Sequence, residues 1–218
     1  MKPVTVPSRI RQAALAACLV VFAGAATAVP ETGLQSAYSQ FVQATSGDEG
    51  AIDRAAEAFS ALLKAEPANP VLLAYAGAAT TMKATTTWLP WKKMTYAEDG
   101  LAQLDKALAL LNASHNAGML NGAPGVLIVK FLAANTFLAV PGFMNRGERG
   151  AKLLGDVVSS PLLASTSPSF KGSVWLKAAT QASSAKNTVD AKRYLELIVQ
   201  SQAPQTAQAQ TLLKGLPS

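Results

Sequence analysis

Apolar residues along the chain recur three and four positions apart, and alternation of apolar with polar residues is scarce. This spacing puts apolar side chains on one face of a helix, so the pattern predicts an all-α fold. No segment is predicted to be a strand, and residues 112–125 and 159–169 are predicted to be flexible connections. We expect helices near residues 33–44, 48–65, 70–86, 95–112, 124–139, 147–159, 169–184 and 189–202, and a last helix near 205–214.

Two of the predicted helix starts carry the spacing of a capping box. In that motif a Ser or Thr side chain caps the helix, and a Glu three residues later bonds back to the cap. Ser46 and Glu49 stand at the predicted start of the second helix, and Thr95 and Glu98 at that of the fourth.

Residues 125–140 are strongly apolar, but sixteen residues that include Lys130 and Asn135 are too short and too polar for an ordinary membrane span. They are predicted to form a buried helix. Lys130 either faces a groove lined by the first helices of successive pairs, or extends along apolar surface so that its ammonium reaches water.

The second helix of each predicted pair repeats one arrangement of small and large residues. A small residue is followed four positions later by a large apolar one, then by a second packing residue, and then by a stop. The four sets are Ala55, Phe59, Leu62 and Pro67; Gly100, Leu104, Ala107 and Asn112; Gly150, Leu154, Val157 and Leu162; and Ala191, Leu195, Ile198 and Ala203. Such positions allow a helix to nest against its predecessor.

This series resembles the second-helix half of a tetratricopeptide repeat, with the usual 34-residue period stretched to 45, 50 and 41 residues and the first-helix aromatic missing. The segments WLPWKKMTYAEDGLAQLDKALAL and VPGFMNRGERGAKLLGDV resemble a poorly characterised, tetratricopeptide-repeat-like family of exported bacterial proteins. The resemblance implies a right-handed solenoid of about four antiparallel helix hairpins with a C-terminal capping helix. It implies no activity.

The first 28 residues have the composition of a secretory signal peptide. Lys2, Arg9 and Arg11 precede an apolar run at 13–24, and small residues precede the predicted cleavage after Ala28. The sequence therefore predicts export to the periplasm, with one helical-repeat domain at 29–218.

Cleavage would change the composition of the chain. Cys18 is the one cysteine, so the mature 190 residues would hold no thiol and no disulfide. A lipid anchor on Cys18 is disfavoured, because the apolar run continues past it. The signal contains three of the 19 basic residues and none of the 13 acidic ones, which leaves 16 against 13 and a net charge of +3. This modest charge weakens the case for a nucleic-acid partner, and we predict no transmembrane segment in the mature chain.

Residues suited to an active site or a metal site are few. His115 is the one histidine, and zinc sites usually need further histidines or cysteines. Glu98, Asp99 and Asp105 lie on one predicted helix near its start, where they suit the helix dipole and the capping box. RGERGAKLLGD lacks the Gly-Lys-Ser/Thr ending and the preceding strand of a phosphate loop. We therefore predict no enzyme, no metal and no cofactor.

Two predicted turns, at 85–94 and 140–147, combine aromatic, methionine and basic residues, with only Glu148 opposing the charge locally. Turns inside successive hairpins of a solenoid lie on one edge, so these two should be neighbours. Aromatic, Met and Arg side chains are enriched at protein interfaces. The candidate partner-binding residues are Trp88, Trp91, Lys92, Lys93, Phe143, Arg146, Arg149 and Lys130. The alternative is that the tryptophans pack inside the protein and the lysines keep the edge hydrated.

The sequence thus predicts a periplasmic, non-enzymatic interaction protein that binds a protein or peptide of the cell envelope through a groove and a basic aromatic edge. The alternative is a binder of a small anionic or hydrophobic ligand associated with an envelope transport system. An open groove with small and polar lining would favour the first, and an apolar pocket of at least about 300 Å³ would favour the second.

Overall fold

The structure is a computed structural model that describes residues 31–216. Within them the fold is all-α, as predicted, and no helix there is long and apolar enough to cross a membrane. The predicted signal peptide lies outside the described residues. The helices are α1 (Glu31–Thr45), α2 (Glu49–Ala65), α3 (Pro70–Thr86), α4 (Pro90–Ala109), α5 (Gly125–Phe137), α6 (Gly147–Val158), α7 (Pro168–Ser184), α8 (Thr188–Gln200) and α9 (Thr206–Gly215).

Side chains just before the helices cap several of them. The Asp48 carboxylate accepts a hydrogen bond from the backbone N–H of Ala51 at the start of α2, and the Ser167 hydroxyl accepts one from Phe170 at the start of α7. These bonds satisfy backbone donors that the first turn leaves free. The capping box predicted at Ser46 is wrong, because Asp48 holds the cap position of α2.

The fourth helix begins five residues earlier than predicted. Pro90 stands in the first turn of α4, where its missing N–H costs no hydrogen bond and its fixed φ suits a helix. Thr95 lies inside α4, and its hydroxyl donates to the carbonyl of Trp91 at 3.0 Å. The capping box predicted at Thr95 is therefore wrong. Residues 91–93 belong to the helix, not to a turn before it.

Helices that follow one another in the sequence pack together. The pairs are α1 with α2, α3 with α4, α5 with α6, and α7 with α8, and α9 packs on α8. Each pair also meets the next through α2–α3, α4–α5 and α6–α7, and α3 packs on α5. Most of the predicted packing positions on the second helices are buried, and Leu62 and Leu162 are half-buried. The buried positions are Ala55, Phe59, Gly100, Leu104, Ala107, Gly150, Leu154, Val157, Ala191, Leu195, Ile198 and Ala203.

Glycines set the close approach of α3 and α4. A Cβ added to Gly100 would lie 2.5 Å from the carbonyl oxygen of Gly77, and one added to Gly77 would lie 2.7 Å from that of Gly100. Since backbone atoms make these contacts, a side chain could enter only if the helices moved apart. The prediction that Gly100 is a small packing position is confirmed.

The largest hydrophobic core joins α1 to α5, and a smaller cluster joins α7, α8 and α9. Four aromatic rings form part of the large core. Phe59 and Tyr75 are stacked with centroids 4.8 Å apart, and Phe41 meets both edge-on at 6.3 and 5.0 Å. Tyr38 meets Tyr75 edge-on at 5.9 Å. Burial raises the pKa of the Tyr75 phenol.

The connection between α4 and α5 contains a short strand pair, which corrects the prediction of no strand. Met119–Leu120 and Ala123–Pro124 pair in antiparallel fashion around Asn121 and Gly122. Both turn residues have positive φ, 49° and 80°, as a two-residue Asn-Gly turn requires. The carbonyl of Gly122 accepts a hydrogen bond from the backbone N–H of Ser167 at 2.7 Å, which ties the turn to the start of α7.

Candidate binding groove

A groove of about 760 Å³ lies between α1, α3, α4 and α5 and extends along the connection that follows α5. It is built where the C-terminal halves of α1, α3 and α5 meet the N-terminal half of α4. The lining residues are Phe41, Thr45, Ala78, Thr81, Met82, Ala84, Thr85, Pro90, Lys93, Met94, Ala97, Leu132, Asn135, Thr136, Ala139, Val140, Pro141, Phe143 and Met144.

Small and flexible apolar side chains dominate this lining. Met82, Met94 and Met144 come from three different segments, and the unbranched thioether side chain adapts to irregular surfaces. The hydroxyl of Thr81 donates to the carbonyl of Gly77 at 2.9 Å, so this donor is already satisfied. Among the described residues that line the groove, Lys93 is the one with a charge. The groove is therefore suited to an apolar ligand group.

Trp88 and Trp91 flank Pro90, which lines the groove. Trp88 is 83% exposed and Trp91 is 66% exposed. The alternative interpretation, in which these rings pack inside the protein, is wrong for both. Large aromatic side chains exposed to this degree lose the free energy that burial would contribute.

Lys92 and Lys93 follow on the first turn of α4, and both are exposed. No ion pair engages either ammonium within residues 31–216. Phe143, which lines the groove together with Lys93, is 68% exposed. The structure thus brings residues of both predicted turns to one cavity, which is lined by Pro90 and Met94 from the first turn and by Phe143 and Met144 from the second, while Trp88 and Trp91 stand beside Pro90 outside the lining.

Arg146 and Arg149 are placed differently, because both guanidinium groups bind Asp105. Arg146 Nη1 lies 3.0 Å from Asp105 Oδ2, and Arg149 Nη1 bonds to Asp105 Oδ1. Both guanidinium groups also lie over the Phe137 ring, at 5.4 and 5.3 Å from its centroid. Asp105 is 13 residues beyond Lys92 on α4, or about 20 Å at 1.5 Å per residue. The expected single basic cluster opposed only by Glu148 is therefore wrong.

Lys130 points toward the α5–α6 contact. Its Nζ lies 3.5 Å from Asp156 Oδ2 on α6, and the residue is half-buried. Lys130 is not among the residues that line the groove. The structure therefore places Lys130 at the α5–α6 contact and outside the groove.

Two polar groups outside the groove serve local structure. His115 Nδ1 accepts a hydrogen bond from the backbone N–H of Asn112 at 3.1 Å and so caps a short 3₁₀ turn at Ala113–Asn116. Lys83, near the end of α3, has its Nζ 2.9 Å from Asp53 Oδ1, and this hydrogen bond raises the pKa of the lysine. Within residues 31–216, no group of three or more His, Asp or Glu residues is placed to hold a metal ion.

Sequence reasoning missed the groove residues of α3 and α5, such as Met82 and Leu132. Both helices are apolar around most of their circumference, so periodicity could not show which face lines a cavity. The signal that could have found them is the presence of Thr81, Asn135 and Thr136 inside otherwise apolar helices, because buried polar residues need a specific environment.

Comparison with known proteins adds no relative. The chain matches no family model, no curated protein and no solved structure. What bears on function is therefore the geometry of the groove and of its edge.

Proposed function

We propose that this chain is a non-enzymatic binding protein that holds the apolar part of a ligand in the groove. The observation that carries the proposal is a cavity of about 760 Å³ lined mostly by Ala, Met, Leu, Val, Pro and Phe. The volume lies within the roughly 300 to 1,000 Å³ of small-molecule sites. A mainly apolar lining favours the hydrophobic-ligand alternative over a peptide groove with small polar lining.

The proposal includes the architecture around the groove, a divergent tetratricopeptide-like solenoid of four helix hairpins capped by α9. The order of helix contacts and the burial of the small and large positions on the second helices support it. In such a solenoid the first helices line the concave side. The groove draws its lining from the first helices α1, α3 and α5, which agrees with that position.

Export and the absence of enzymatic activity are also parts of the proposal. Export to the periplasm rests on the composition of residues 1–28. The non-enzymatic assignment is supported by the structural use of two candidate chemical groups. His115 caps a turn, and Asp105 binds two arginines.

Titration of the protein with a fluorescent fatty acid tests the proposal. We expect emission to rise to saturation, because the fluorophore leaves water for an apolar site. Ala84→Phe combined with Ala139→Phe would fill the groove, since both alanines line it. We expect this variant to bind the probe at least about tenfold more weakly, a change of about 1.4 kcal/mol.

The matched control is Ala102→Phe combined with Ala207→Phe, at exposed positions on α4 and α9 outside the groove. This control should bind the probe as the unmodified protein does, and urea unfolding should show that both variants fold. Equal probe binding by the groove variant and the control would contradict the proposal.

A second candidate is a protein or peptide ligand, and the exposure of Trp88 and Trp91 favours it. Tryptophan is among the residues most enriched at interface hot spots. A photo-crosslinking amino acid at Met94, on the groove wall, distinguishes the two candidates in cells. Adducts with a polypeptide that disappear in the groove-filling variant would support the second candidate, and lipid-sized adducts would support the first.

A further inference from the structure

One edge of the groove carries an exposed group of aromatic and basic side chains, which we call the aromatic edge: Trp88, Trp91, Lys92, Lys93 and Phe143. The three rings are 66 to 83% exposed. Pro90, Lys93 and Phe143 all border the groove, so the edge lies at its rim.

Within residues 31–216, no carboxylate forms an ion pair with either lysine. Glu98 and Asp99 lie about two turns farther along α4, and Asp105 binds Arg146 and Arg149. In the α1–α2 loop, which follows Thr45 on the groove wall, Asp48 is paired with Arg54 at 3.1 Å. The N-terminal end of the α4 dipole adds positive potential at the same place. The edge is therefore electropositive as well as aromatic.

Protruding rings suit one class of partner better than another. Interface hot spots between proteins sit in complementary, fully desolvated pockets near the centre of a contact. A lipid surface requires no matching pocket, because tryptophan rings settle at the boundary between headgroups and acyl chains. Lysine side chains beside them can place the ammonium against lipid phosphates while the stem stays in the apolar layer.

We propose that the aromatic edge docks on a membrane surface that contains anionic phospholipids. Trp88, Trp91 and Phe143 enter the interfacial layer, and Lys92 and Lys93 contact lipid phosphates. Docking brings the rim of the groove onto the bilayer. The ligand whose apolar part the groove holds is then an acyl chain taken from that bilayer, and this second step rests on the proposed function.

The three tryptophans provide a test with an internal control. Residues 1–30 contain no tryptophan, and Trp175 is half-buried in a different cavity of about 750 Å³. The full chain is mixed with phosphatidylcholine vesicles that contain phosphatidylglycerol and brominated acyl chains, which quench tryptophan only within the bilayer. Trp175→Phe leaves Trp88 and Trp91 as reporters, and Trp88→Phe with Trp91→Phe leaves Trp175.

We expect the emission of Trp88 and Trp91 to fall by at least half and to shift to shorter wavelength, and that of Trp175 to stay unchanged. A chain that floats with the vesicles while Trp88 and Trp91 stay unquenched would make contact through another segment and would overturn the proposal. An edge that instead crosslinks to one polypeptide, with no quenching, would belong to a protein partner and would also overturn it.

The lysines are tested by affinity for the same vesicles. Lys92→Ala with Lys93→Ala should weaken binding roughly 30-fold at low salt, since each lysine near an anionic surface contributes about 1 kcal/mol. The control pair, Lys152→Ala with Lys214→Ala, removes two exposed lysines from α6 and α9 and should bind normally. Equal weakening by both pairs would overturn the assignment of the site to this edge.

The two proposals fail separately. Quenching at Trp88 and Trp91 without fatty-acid binding would retain the docking surface and remove the ligand groove. Fatty-acid binding without quenching would retain the groove and remove the docking surface.

Discussion

The segment that enters α4 and the segment that enters α6 contain the same kinds of residue, yet the fold uses them differently. Before and at the start of α4, the side chains of Trp88 and Trp91 are exposed. Lys92 and Lys93 are also exposed, and neither forms an ion pair within residues 31–216. At the start of α6, Arg146 and Arg149 both bind Asp105 and lie over the Phe137 ring.

The difference comes from what the neighbouring helix offers. Asp105 stands on the part of α4 that α6 reaches, and the planar guanidinium can bond a carboxylate and stack on a ring at once. The lysines at the start of α4 form no ion pair with a carboxylate in the described part of the chain, and the ammonium group is more strongly hydrated than the guanidinium. Aromatic and basic composition therefore becomes an available surface only where no acidic side chain from an adjacent helix reaches it.

The largest expected effect comes from separating α4 from α3. Gly100→Ala should lower the free energy of unfolding by about 3 kcal/mol, because the added methyl group would meet the Gly77 carbonyl. Gly155→Ala on α6 is the control, since nothing lies within 4 Å of its added Cβ. That control should raise stability by about 0.5 to 1 kcal/mol, as alanine favours helix. Urea denaturation checks both, and equal effects would contradict the close helix contact.

Removing the shared carboxylate should erase the difference between the two segments. Asp105→Asn should lower the free energy of unfolding by about 1 to 2 kcal/mol. This loss lies between those of exposed and buried ion pairs, because the side chains of Asp105, Arg146 and Arg149 are 29 to 46% exposed. High salt should shrink the loss. Asp99→Asn, exposed on the same helix, should cost little. A loss in Asp99→Asn as large as in Asp105→Asn would refute the ion-pair account.

Lys83 sharpens the comparison, because it is a cation near the α3–α4 connection that does have a partner. Its hydrogen bond to Asp53 raises the pKa of the lysine in the folded protein. The stabilisation is therefore complete below the unfolded pKa of about 10.4 and is lost as pH rises through the folded value. Lys83→Met should cost about 0.5 to 1 kcal/mol at pH 8, and this cost should fade above pH 10.4. Lys92→Met should cost nothing at either pH. Urea denaturation at several pH values measures both.

The smallest effect on stability is expected at the aromatic edge itself. Trp88→Ala combined with Trp91→Ala should change the free energy of unfolding by less than about 0.5 kcal/mol, because both side chains are largely exposed in the folded protein. Thermal or urea unfolding checks this. A loss above about 1 kcal/mol would show that the rings support the fold instead of facing a partner.

The sequence was sufficient to predict the helices, because the spacing of apolar residues and the residues that end helices are local features of the chain. It failed at the start of α4, where Thr95 offered a familiar cap but Pro90 could begin the helix without one. It also missed the strand pair at 119–124, although Asn121 and Gly122 are the residues that a two-residue turn with positive φ favours.

The candidate site was predictable only in part. The unusual mixture of aromatic and basic residues in two segments identified Trp88, Trp91 and Phe143 as candidates. The structure shows that all three side chains are exposed. The pairing of Arg146 with Asp105 joins residues 41 apart, so it depends on how α4 and α6 each pack on α5 and leaves no local signal. The groove residues on α3 and α5 could not be predicted either. Both helices are apolar around most of their circumference, so the sequence does not show which face lines a cavity.

The packing of each helix on its neighbours in sequence also has a kinetic consequence. Except for α4 and α5, helices that follow one another are separated by fewer than ten residues, so bringing them together costs little chain entropy, and folding should be fast for a domain of this length. The same arrangement makes cooperativity uneven. The cluster of α7, α8 and α9 is smaller than the core of α1 to α5, so the C-terminal hairpin can open while the groove stays assembled.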